Sequence, residues 1–81
     1  MSGEPGEIHT IFARVTGETR AQAIADAVEQ MEPKPAGVGC FEIDEEDDLW
    51  EVGGYFSQNP AGIGLILLEA AFADASFVVS K

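Results

Sequence analysis

Two runs rich in strand-forming residues, Val38 to Ile43 and Leu49 to Phe56, enclose an unbroken acidic knot, Asp44-Glu45-Glu46-Asp47-Asp48. Apolar residues alternate with small or polar ones in both runs, and a charged knot between them belongs at a water-facing turn, so the segment predicts a β-hairpin. A helical pattern lies on each side of it, and a further strand-like run lies outside each helix. The chain therefore spells strand, helix, strand, strand, helix, strand.

Two split βαβ units in that order, joined by right-handed crossovers, build an α+β fold: a ferredoxin-like sandwich in which a four-stranded antiparallel sheet carries two helices on one face. Ile8 to Val15 supplies the first strand, and Thr16-Gly17 the turn after it. Ala21, Ile24, Ala25, Val28 and Met31 recur at helical spacing, opposite Arg20, Gln22, Asp26, Glu29 and Gln30, with Thr16 or Glu18-Thr19 expected as cap. Pro33 and Pro35 end that helix and hold Glu32 to Gly37 extended, because proline lacks the amide donor and disfavours helix in the residue before it.

Asn59-Pro60 predicts the start of a second helix reaching about Phe72. Gly62 and Gly64 lower its propensity by roughly 1 kcal/mol each, which implies either a closely approaching neighbour or an irregular first turn. Ile63, Ile66, Leu67, Ala70 and Ala71 are expected to face the sheet, although Leu65, Leu68 and Phe72 fall outside that stripe, so the helix wants a second neighbour. Phe77-Val78-Val79 forms the last strand. Within the hairpin, Gly39, Phe41 and Ile43 are expected on the core face with Trp50, Val52, Gly54 and Phe56; the opposite face then carries Phe12, Cys40, Glu42, Glu51 and Tyr55.

The 81 residues provide for one domain, placed at 8–81 after a disordered tail, 1–7, and the stop just past a strand suggests a piece of a longer protein. Fifteen acids against four bases give net −11, and no Lys or Arg stands between Lys34 and Lys81. Such a field repels nucleic-acid phosphates and anionic lipid; it either steers a basic partner or merely keeps the domain soluble. The single cysteine, Cys40, excludes an internal disulfide and reads as a small buried hydrophobe in a reducing, cytoplasmic setting. The N-terminus is no signal peptide, and Ile63 to Ala73 is too short to span a bilayer.

Chemistry-bearing patterns are broken wherever they begin. A calcium loop counted from Asp44 would need glycine where Leu49 stands and glutamate where Tyr55 stands. His9 has no Cys or His companion at ligand spacing. Gly37-Val38-Gly39 lacks the third glycine of a dinucleotide turn, Gly62-Ile63-Gly64 lies inside a helical pattern, and Leu49 to Phe56 carries Glu51 where an RNA-recognition strand is basic. No catalytic, cofactor or metal residue is assigned. The candidate partner-binding residues are Phe12, Glu42, Asp44, Glu45, Glu46, Asp47, Asp48, Glu51 and Tyr55.

Cys40-Phe41-Glu42-Ile43-Asp44-Glu45, Asp48-Leu49-Trp50-Glu51-Val52, Tyr55-Phe56 and Phe77-Val78-Val79-Ser80-Lys81, in that order and spacing, resemble the N-terminal domain of the PrmA family, bacterial methyltransferases that modify the large-subunit ribosomal protein L-eleven. The similarity runs from about Ile8 to the end, and the acidic hairpin leading into Trp50-Glu51-Val52 is its most specific part. It implies a substrate-recognition domain that docks a basic ribosomal protein, linked to a separate C-terminal domain that binds S-adenosylmethionine and transfers the methyl group; the chain is expected to be a monomer. None of that catalytic machinery maps onto residues present in this chain, which is expected to be non-catalytic. Two other classes share the element order: a small-molecule-sensing regulatory domain of the amino-acid-binding type, and a structural or dimerisation module.

Overall fold

The computed structural model describes residues 8–80, so the expected tail at 1–7 lies outside the described residues. Strands β1 (His9–Thr16), β2 (Gly37–Asp44), β3 (Leu49–Phe56) and β4 (Val78–Ser80) alternate with helices α1 (Glu18–Glu29) and α2 (Ile63–Ala71) in the order the sequence predicts. The sheet order is β2-β3-β1-β4 and every neighbouring pair is antiparallel, the split βαβ topology of a ferredoxin-like sandwich. Among the described residues no helix is long and apolar enough to cross a membrane.

α1 forms where its pattern says it should. Ala21, Ile24, Ala25 and Val28 are buried on one face, and Met31 just beyond the helix is buried with them. They close over Ile11 and Val15 of β1 and Val52 and Phe56 of β3, each fully buried Ile, Val or Phe contributing about 1.5–3 kcal/mol. The start of α1 differs from expectation. Gly17, not Thr16 or Thr19, is the cap residue, and no side chain caps the helix, because the chain leaves β1 at φ 101°, a region open to glycine. The Gly17 amide donates instead to the Asp48 carbonyl at 2.8 Å, tying the helix start to the hairpin turn.

α2 departs further. Asn59 does receive a backbone donor, the Ala61 amide at 3.0 Å, but this makes a turn ahead of the helix, which begins only at Ile63 after Gly62 at φ 149°. The irregular start that two glycines implied is therefore real. The face it buries is also the reverse of the expected one. Leu68 is buried, and Leu65 and Phe72 pack against the core, whereas Ile63, Ile66 and Leu67 are 73%, 61% and 63% exposed. Arg20 of α1 pairs with Asp74 and lies 5.6 Å from the Phe72 ring centroid, which pins the far end of α2 to α1.

The largest correction concerns β2. Asp44 pairs with Leu49, but Glu42 pairs with Trp50 and Cys40 with Val52, so a one-residue bulge separates Glu42 from Asp44. Directly opposed residues in an antiparallel pair share a face, and one extra residue flips every side chain beyond it. Cys40 and Glu42 thus lie on the helix-bearing side with Val52 and Trp50, and Phe41, 54% exposed, lies on the open side opposite Glu51. The sequence expectation had both sets reversed in β2. It had β3 right: Val52, Gly54 and Phe56 are buried, and Trp50 packs on the core.

Candidate functional site

The helix-free face of the sheet is where the bulge matters. β1 presents Thr10, Phe12 and Arg14 there, because Ile11, Ala13 and Val15 are the buried alternates. β3 presents Glu51, Gly53 and Tyr55 in register with them: Thr10 opposite Tyr55, Phe12 opposite Gly53, Arg14 opposite Glu51. β2 adds Gly37, Gly39 and Phe41, opposite Tyr55, Gly53 and Glu51. Val78 and Ser80 of β4 complete the row beside Phe12 and Thr10, with the Thr10 and Ser80 hydroxyls 2.6 Å apart.

Together these residues shape a shallow depression of about 320 Å³ between Phe12, Phe41 and Tyr55, floored by Gly39 and Gly53. The Tyr55 ring leans across Gly37, so a side chain at that position would occupy the same space. Arg14 Nε stands 3.8 Å from Glu51 Oε1 across the strands, with the arginine mostly exposed and the glutamate mostly covered. Three aromatic rings beside a carboxylate make a surface for an apolar or cationic group, since aromatic faces attract guanidinium and ammonium.

Of the sequence-predicted set, Phe12, Glu51 and Tyr55 come together on this face. Glu42 does not; it is exposed on the helix-bearing side. Asp44 to Asp48 form the tip of the hairpin, and two of the five are used by the chain itself. Asp44 Oδ1 accepts the Glu46 and Asp47 amides at 3.0 and 3.4 Å, which closes the turn. Asp48, at φ 52°, accepts the Trp50 indole N–H at 2.8 Å. Glu45, Glu46 and Asp47 remain exposed and uncommitted. The residue that sequence reasoning missed is Phe41, assigned to the core by its hydrophobicity; only the bulge places it outside.

Among the described residues no group of three or more His, Cys, Asp or Glu side chains converges as a metal site does. His9 is buried at the start of β1, opposite Phe56. Cys40 is half-buried against the core, with the Gln22 amide nitrogen 3.8 Å from its sulfur. Burial pushes its thiol above the ordinary 9.0, and the Glu18 carboxylate adds to the rise. Alkylation at about pH 8 is therefore expected to be several-fold slower than for a free thiol and to quicken in Glu18→Gln, because the thiolate is the reacting form. Since the folded state holds this proton more tightly, the associated stability is complete below pH 9.0 and is lost as the pH rises through the folded value. Reaction as fast as free cysteine would contradict this placement.

No family model matches the chain, and neither the curated proteins nor the solved structures contain a match to it.

Proposed function

We propose that this chain is a docking module whose open sheet face receives a basic protein segment. The observation that carries the reading is the Phe12, Phe41 and Tyr55 depression beside Glu51, on a molecule of net charge −11. Long-range attraction brings a cationic partner to such a surface, and the aromatic rings then supply the short-range contact area that holds it. The uncommitted acids of the hairpin tip, Glu45, Glu46 and Asp47, lie at one end of the same sheet and extend the field along it.

The resemblance carried by the hairpin makes the partner a basic ribosomal protein of the large subunit, presented to a separate S-adenosylmethionine-dependent methyltransferase domain in the cytoplasm. In that scheme the chain contributes binding and orientation and supplies no group to the transfer itself.

Calorimetric titration of the isolated chain with L-eleven tests this. Affinity is expected to fall about tenfold between about 50 mM and about 300 mM NaCl, as screened long-range attraction requires. The double variant Phe41→Ser, Tyr55→Ser should weaken binding at least tenfold, in line with truncation of central aromatic anchors. Binding that ignores both salt and these substitutions removes the open face from consideration. Absence of binding combined with a thermal shift caused by a free amino acid would favour the regulatory class instead.

A further inference from the structure

We infer that α2 pairs with the α2 of a second copy of this chain, forming a twofold dimer through Ile63, Ile66, Leu67 and Ala70. The inference is independent of the docking reading and concerns the other side of the molecule. These four positions follow the i, i+3, i+4, i+7 spacing that gathers side chains into one stripe on a helix. In most surface helices that stripe faces the core; here the core takes Leu65, Leu68 and Phe72, and the stripe points outward. α2 thus has apolar residues on two faces, of which only one is covered.

The order of sizes along the stripe suits an antiparallel partner with the same sequence. Ile63 at the start of one helix meets Ala70 near the end of the other, large against small, while Ile66 and Leu67 meet their counterparts at the centre. A twofold axis makes both halves of such an interface identical, as an isologous contact requires. The short Ala70 side chain lets the two backbones approach, and antiparallel helix dipoles attract.

Charge selects the same surface. From Val52 to Ala73 the one charged side chain is Glu69, in a protein of net −11, so like-charge repulsion between copies is least where α2 meets α2. A cationic partner finds only Glu69 and, at the groove beside Leu67, Glu32, and a nine-residue helix with no basic residue lacks what anchors a helix at a lipid surface. Ile63, Ile66 and Leu67 are each more than 60% exposed, and three side chains offer less than the roughly 800 Å² that each partner buries in a standard interface. A groove of about 540 Å³ beside Leu67, walled by Met31, Glu32, Gly64 and Ala71, gives the second copy further surface to cover. An interface of this size corresponds to a weak dimer, in contrast to the monomer expected from the sequence.

Sedimentation equilibrium of the 81-residue chain between about 10 μM and about 1 mM is the test, with dissociation expected in the upper half of that range as befits a small interface. Raising NaCl from about 50 to about 500 mM should tighten the dimer, because screening relieves self-repulsion; docking of a basic partner moves in the opposite direction. Ile66→Ser with Leu67→Ser should weaken association at least tenfold while the circular dichroism spectrum is kept, since both residues are exposed. If that double variant loses its fold, Ile63→Ser gives the same readout. A monomeric mass at the highest concentration in both salts overturns the inference. So does association that survives the α2 serines, that grows without limit, or that is abolished by Phe41→Ser instead.

Discussion

Phe56→Ala is expected to remove most of the stability of this domain, whereas Phe41→Ala, the same chemical change three residues before the hairpin tip, is expected to leave it nearly intact. Phe56 is fully buried, packed in the cluster that holds Ile11, Val28 and Leu68 between sheet and helices. Truncating such a ring costs about 3–5 kcal/mol, the lost transfer free energy plus the cavity left behind. A chain of this length has in total only about 4–12 kcal/mol to lose. The lower part of that range applies here, because α2 buries Leu68 alone and β4 is three exposed residues long. Phe41 is more than half exposed on the open face, and its removal should change stability by less than about 1 kcal/mol. Urea unfolding followed by circular dichroism reads both. Equal losses would mean that Phe41 is a core residue and that β2 pairs without its bulge.

That comparison also shows where the sequence ran out. Element order, the buried face of α1 and the inward side of β3 follow from periodicity, since Ala21, Ile24, Ala25 and Val28, or Val52 and Phe56, recur at spacings that only one face can satisfy. β2 offers two competing alternations, Val38-Cys40-Glu42 and Gly39-Phe41-Ile43, and hydrophobicity favours the second. A hairpin paired straight from Asp44 and Leu49 would indeed have set Phe41 opposite Val52. The bulge between Glu42 and Asp44 reverses the outcome, and a bulge is a backbone event with no side-chain signature in this segment. α2 misled for a related reason. A helix apolar on both faces carries no periodic information about which face is inside, and the choice fell to packing: Leu68 joins the core cluster, while Ile63, Ile66 and Leu67 do not. Two of the three rings of the aromatic face, Phe12 and Tyr55, were legible; the third was hidden by one residue of register.

The second large effect is expected at Gly53, which sits in the floor of the depression directly opposite Gly39. The two glycines look equivalent in sequence, yet their surroundings are opposite. A Cβ at Gly53 would meet the Ile11 carbonyl oxygen, and would lie 2.7 Å from Phe12 Cα and 2.8 Å from Phe12 Cβ. The first two are backbone atoms of the neighbouring central strand and cannot rotate away. Gly53→Ala must therefore push β1 and β3 apart at the middle of the sheet, at a cost of about 2–3 kcal/mol for an overpacked site without slack. A Cβ at Gly39 meets nothing within 4 Å. Gly39→Ala should be neutral or stabilising by up to about 1 kcal/mol, because alanine loses less backbone entropy on entering a strand. The functional consequence runs through Phe12, which faces Gly53 across the strands and shifts with β1; basic-partner affinity should fall in Gly53→Ala even under conditions where the variant remains folded. Thermal unfolding of the two alanine variants, with partner titration well below the lower melting temperature, checks both halves. Matched melting temperatures would show that β1 is not pressed against Gly53, and with that the depression between Phe12, Phe41 and Tyr55 would lose its floor.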